Sequence, residues 1–209
     1  MKMAFFIKGA GGVSHEQLLD HWLSRHAPGV REHMLADHYS VTDFRQRSGT
    51  PFDGLAQLWY SDEATGPAMF ANQPEVVAND GFVALTGDFV RLDSTEHVIV
   101  DGERPEGALK MVYPVSFKDG VDHDEAKSYW LEVHAPLVGN SLEVTEGAHR
   151  YVVTHQIDSS RGRYAGFAEF WYDDKEALVE HGRILQGDDF ADYAVTHAPL
   201  MGTEHVIIP

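Results

Sequence analysis

Two histidines stand at matched places in this sequence, each four residues after a tryptophan and directly before an Ala-Pro pair: Trp22 with His26, and Trp130 with His134. An imidazole titrates near ~6.5, so it can give or take a proton on a carbon acid, phenol or enol at neutral pH. The same position serves a structural role equally well, with the ring closing its helix end or bonding a backbone carbonyl ahead of the proline. A tryptophan one turn earlier offers either a flat pocket wall for an aromatic ring or plain core packing. Tyr39 and Tyr151 open later strands, sharing a sheet face with Val41 and Asp43 in one case and with Val153 and His155 in the other. In the leading assignment His134 moves the proton, Tyr151 hydrogen-bonds a developing oxyanion and His155 orients the substrate. His26, Tyr39 and Asp43 form the rival set, with Asp43 orienting His26 or holding it as an imidazolium. Gln57 and Glu169 sit at equivalent places inside apolar strands, where a polar group needs a partner. They are expected to line a substrate pocket or to hydrogen-bond between modules.

Other chemistries find no support. The chain has no cysteine, which removes disulfides, thiolate catalysis and cysteine-bound metals. None of the 13 histidines pairs with another at the i, i+4 spacing of zinc helices, and no metal is expected. Gly9-Ala10-Gly11-Gly12 lacks the Lys-Ser/Thr ending of a phosphate loop, and there is no Gly-x-Ser-x-Gly elbow. His197-Ala198-Pro199 imitates the helical motif but precedes a closing strand, and reads as an accident.

The elements that must position these residues come twice. Trp22 and Trp130 are separated by 130 − 22 = 108 residues, Tyr39 and Tyr151 by 151 − 39 = 112, and the Thr95-Glu96-His97-Val98-Ile99 and Thr203-Glu204-His205-Val206-Ile207 segments by 108 again. Length changes that cancel and fall in loops indicate two copies of one fold. Each copy reads as a strand (Met3 to Ile7; Met111 to Val115), a helix with a capping box (Ser14 with Gln17; Asp122 with Glu125), two strands, a second helix and a closing strand. Pro28 and Pro136 are expected to bend or restart the first helix. The order βαββαβ is ferredoxin-like, giving an α+β chain with modules at 1–101 and 108–209 joined by a polar Gly- and Pro-bearing linker.

Hydrophobic residues make up 43% of the 209, enough for packed cores. The formal charge of −17, from 16 Lys and Arg against 33 Asp and Glu, opposes nucleic acid and anionic membrane surfaces as partners. The apolar stretch Met3 to Ile7 is too short for a signal or membrane segment, and a cytoplasmic location is expected.

Tyr129-Trp130, His134-Ala135-Pro136-Leu137, Arg150-Tyr151 and Thr203-Glu204-His205-Val206 together resemble the EthD-type family of the dimeric α/β-barrel superfamily. The first copy matches less fully, with His21 for Tyr129 and His38 for Arg150. The resemblance implies that the two modules pair internally as a pseudo-dimeric barrel, with a homodimer also compatible. It further implies a small aromatic, polyketide-like or lactone substrate and a cofactor-free acid/base reaction: cyclisation, dehydration, decarboxylation or isomerisation. Haem binding or cofactor-free oxygenation is the alternative within the superfamily, and a non-catalytic ligand-binding or assembly module is the third reading. The fuller match of the second copy points to His134 as the centre of the main site.

Overall fold

In the computed structural model, which describes residues 1–46, 49–159 and 162–209, the expected order of elements appears twice. The first run is β1 (Lys2–Gly9), α1 (His15–His21), a wide helical turn Trp22–His26, α2 (Ala27–His33), β2 (His38–Phe44), β3 (Gly54–Trp59), three short helices α3 (Thr65–Ala71), α4 (Glu75–Ala78) and α5 (Phe82–Leu85), and β4 (Thr86–Val100). The second is β5 (Leu109–Phe117), α6 (His123–Tyr129), a wide turn Trp130–His134, α7 (Ala135–Glu143), β6 (Ala148–Gln156), β7 (Gly166–Tyr172), α8 (Lys175–Ile184), α9 (Phe190–Tyr193), β8 (Ala194–Thr196) and β9 (Leu200–Ile208). The single second helix expected in each copy is broken into short pieces.

Two compact units make up the chain: residues 1–93 with 204–209, and residues 94–203. They allot the closing strands differently from the expected modules 1–101 and 108–209. The strand β4 changes unit between Asp93 and Ser94, and β9 between Thr203 and Glu204. In the first unit the strand order is β4-β1-β3-β2-β9. In the second, Ser94 to Val100 of β4 pair antiparallel with β6, β6 with β7 and β7 with β5, while β8 and the start of β9 both pair with β5. At 15 residues β4 is longer than an ordinary strand.

The helix starts follow the sequence. Ser14 and Gln17 form a reciprocal capping box, whereas Asp122 accepts from the amides of Asp124 and Glu125 and caps from one side. Further on, proline dictates the backbone. Pro28 has no amide hydrogen for the Ser24 carbonyl, and its ring crowds that carbonyl. The turn opens by one residue, and the Ala27 amide bonds the Trp22 carbonyl five residues back. Ala135 does the same to Trp130 ahead of Pro136. Helix α2 and helix α7 then continue with the proline in their first turn, so the helix widens rather than stops.

Each unit has its own core under these helices, built on Trp22, Tyr39 and Leu58 in one and on Trp130, Tyr151 and Phe170 in the other. Strand alternation sends Ala56 and Leu58 to the helix side and Gln57 to the opposite face. Gly54 is required where β3 passes beneath Trp22: a Cβ there would stand 2.7 Å from the indole ring and 2.8 Å from the Thr42 carbonyl oxygen. Its counterpart Gly166 lies still closer to the Thr154 carbonyl. Gly54→Ala is expected to lower stability by about 1–3 kcal/mol through overpacking and to move Trp22. Chemical denaturation with indole fluorescence checks this; an unchanged midpoint and emission maximum would remove the packing argument.

Candidate active sites in two matched pockets

Between sheet and helices each unit encloses a pocket, of about 260 Å³ in the first and about 240 Å³ in the second. Trp22, His26, Val30, Tyr39, Ala56 and Phe82 of the first correspond to Trp130, His134, Val138, Tyr151, Ala168 and Phe190 of the second. The expected convergence of helix-borne tryptophan and histidine with strand-borne tyrosine therefore occurs in both copies.

The histidines are held by residues outside the expected set. His26 Nδ1 lies 2.7 Å from Asp80 Oδ2, and its ring stacks on Phe82 at 4.0 Å between centroids. His134 Nδ1 lies 3.0 Å from Asp188 Oδ2 and stacks on Phe190 at 4.2 Å. Each carboxylate also accepts the amide of its phenylalanine, Asp80 from Phe82 and Asp188 from Phe190. With Nδ1–H committed to an ionised carboxylate, the neutral ring carries its lone pair on Nε2, which bonds no described residue. That arrangement is a base facing a pocket. Burial holds His26 below the ordinary imidazole range, opposed in part by the Asp80 hydrogen bond and charge, which keeps it neutral at pH 7.

The partner expected for His26, Asp43, instead lies 2.7 Å from His15 Nε2, while His15 Nδ1 meets Asp53 at 3.1 Å. Asp43 is at the far end of β2, where the start of α1 reaches it first. The sequence did carry the signal for the true partners: Asp80 and Asp188 are 188 − 80 = 108 residues apart, as are Phe82 and Phe190, the same offset as the tryptophans and histidines.

Tyr39 and Tyr151 are fully buried, and burial raises both phenols above their usual range. Trp22 Nε1 donates to the Tyr39 hydroxyl at 3.1 Å, whereas buried Trp130 Nε1 completes no such bond. Trp22 and Trp130 thus act as wall and core at once. His155 does not join His134 and Tyr151: it packs on Trp130 at 4.8 Å and His97 at 5.1 Å and lines neither pocket. Gln57 and Glu169 also lie outside the pockets; Glu169, on the far sheet face, pairs with Lys110 at 2.8 Å with both side chains buried. Among the described residues no group of three or more His, Asp and Glu is disposed to hold a metal ion. Among them also, no helix is long and apolar enough to cross a membrane.

These features define an α+β protein with a pocket in each unit. Residues 118–183 match the EthD domain model. Among curated proteins none matches the chain. Solved structures of similar fold include a chlorite dismutase variant from Candidatus Nitrospira defluvii (12% identity, 99% of this chain and 92% of that one, TM-score 0.63). An anthrone oxidase-like protein is similar at 12% identity over 99% and 92% of the two chains, with a TM-score of 0.52. A heme-binding protein from Thermus thermophilus is similar at 11% identity over 97% and 90%, with a TM-score of 0.54. At such identities the likeness defines the fold alone.

His155 generates a prediction about acid stability. Burial first, then the nearby His97 and Lys127, push its pKa down to about 3, and Nε2 has no hydrogen-bond partner. Unfolded, it takes up a proton near ~6.5, so between those values the unfolded state binds more protons and stability falls as pH drops. Between pH 7 and 4.5 this one residue should account for about 2–3 kcal/mol of the loss. Urea unfolding of His155→Phe at the two pH values should show a shallower acid dependence than the parent; equal slopes would refute the assignment.

Proposed function

We propose that this chain is a soluble cytoplasmic enzyme that moves protons on a small aromatic or lactone-like molecule, with His134 as the base of the main site. One observation carries the reading: a histidine opening into an aromatic-walled pocket with Nδ1 tied to a carboxylate and Nε2 left for a ligand. In this reading Asp188 fixes the tautomer and stabilises the imidazolium once the proton is taken, and Tyr151 hydrogen-bonds the oxygen that gains charge. His26 with Asp80 offers the same chemistry in the first pocket. Removing a proton from a carbon acid begins cyclisation, dehydration, decarboxylation and isomerisation alike, and also prepares an electron-rich ring for direct reaction with oxygen. The name anthrone oxidase-like on a structural relative agrees with an aromatic ketone as the type of substrate. In this reading the two βαββαβ runs are duplicated ferredoxin-like modules at 1–101 and 108–209 that pair as in an α/β barrel.

Haem is the second reading, favoured by the names of two relatives. The fit is poor. Pockets of 240 to 260 Å³ fall below the ~300–1,000 Å³ of drug-sized sites, and a haem exceeds most drug-sized ligands. Haem added to the purified protein is expected to give no Soret band characteristic of histidine ligation.

Deuterium wash-in to the methylene of anthrone, followed by NMR in D2O, tests the base directly. The protein should accelerate exchange, and His134→Ala should lower that acceleration by ~100-fold or more with circular dichroism unchanged. If only His26→Ala abolishes exchange, the first pocket is the active one. If neither substitution matters, histidine base chemistry is wrong.

A further inference from the structure

The two pockets share their plan but not their polar lining. In the second, Tyr172 lines the wall and its hydroxyl lies 2.7 Å from His181 Nδ1. The other ring nitrogen, His181 Nε2, lies 2.9 Å from Ser141 Oγ, and Ser141 Oγ donates to the Val138 carbonyl at 2.7 Å. Ser141 has one proton, and it is spent on that carbonyl. His181 Nε2 must therefore be the donor toward Ser141, which leaves Nδ1 as a lone pair and obliges Tyr172 to donate to it. His181 is only 4% exposed, so no solvent rearrangement reverses this chain. Burial also favours the neutral ring that this polarity demands.

The first unit has no equivalent. Tyr60, the counterpart of Tyr172 at 172 − 60 = 112, is not part of the pocket lining, and its buried hydroxyl has no hydrogen-bond partner. Phe5 occupies the place of Tyr113, and Phe70 and Phe89 line the wall beside Gln73 and Thr86, with no tyrosine–histidine pair among them.

We infer that the second pocket favours an aromatic ligand bearing a hydroxyl group more strongly than the first, with the Tyr172 oxygen as a hydrogen-bond acceptor that the first pocket lacks. The Tyr172 proton is committed to His181, so the oxygen meets a ligand through its lone pairs. A ligand O–H finds a partner there; an acceptor-only group meets an acceptor. His181 is a positioning residue, acting through the direction of the Tyr172 proton. This deepens the proposed base chemistry by naming the substrate class, and rests on that reading only for the statement that the bound ligand reacts.

Binding alone tests it. The indole N–H resonances of Trp22 and Trp130, assigned with Trp22→Phe and Trp130→Phe, report the first and second pockets separately. The probes are 1-naphthol and 1-methoxynaphthalene, which share a ring system and differ in the hydroxyl proton. At Trp130, the preference for 1-naphthol over the ether is expected to exceed the preference at Trp22 by about tenfold, the scale of one well-made hydrogen bond against an unmet acceptor. Tyr172→Phe should erase this excess preference at Trp130. His181→Phe frees the Tyr172 proton and should shift the preference toward the ether, an effect that a purely structural tyrosine–histidine contact does not produce. Equal preferences at Trp130 and Trp22, an excess that survives Tyr172→Phe, or 1-naphthol binding at neither pocket would each overturn the inference. Because no turnover is read, loss of anthrone exchange with this selectivity intact would sink the base chemistry and spare the ligand class, and the reverse pattern would do the opposite.

Discussion

Proline offers its preceding helix no amide hydrogen, and at positions 28 and 136 this single deficiency governs where the pocket histidine ends up. A regular helix would bond the residue-28 amide to the residue-24 carbonyl. With that bond forbidden, the turn from Trp22 to His26 widens and closes five residues back instead. The same happens from Trp130 to His134. Tryptophan stays fully buried in the core while histidine remains only partly buried at the pocket wall, within reach of Asp80 or Asp188 and flat against Phe82 or Phe190. Wide helical turns of this kind recur at functional sites because they re-aim side chains without breaking the helix.

Around that fixed point the two sites were free to differ. The phenylalanine stacks on each imidazole, and the carboxylate limits which nitrogen bears the proton. These constraints are common to both copies. What varies lies on the sheet and on the last helices: phenylalanines in one pocket, and in the other Tyr113, Tyr172 and His181. The Trp-His-Asp-Phe corner is thus common to both pockets, and the rest of the lining differs.

Much of this was legible in residue spacing. The repeat, the element order and the meeting of tryptophan, histidine and tyrosine all follow from short-range periodicity, which a sequence displays directly. Asp80 and Asp188 were harder because each lies in a loop between short helices, where no period announces a side chain's direction; only the shared offset with the histidines marked them. Asp43 departs from expectation because strand alternation gives the correct face but not which helix end lies above it, and His15 claims it. The pairing of Tyr172 with His181 escaped notice for the opposite reason. It exists in one copy alone, so comparison of the copies conceals it.

The division of β4 and β9 between units bears on the order of events during synthesis. The second unit is one continuous stretch, residues 94–203, whereas the first needs 204–209 in addition to 1–93. Ile207 and Ile208 pack against the first core, about two hundred residues from β1 along the chain. Contacts so distant in sequence are costly to close and form late. The first unit, made earlier, therefore waits through the synthesis of the whole second unit with an unfilled strand position. A chaperone or a misplaced strand has its opening in that interval, and it is the earlier-made half of the protein that is exposed to it.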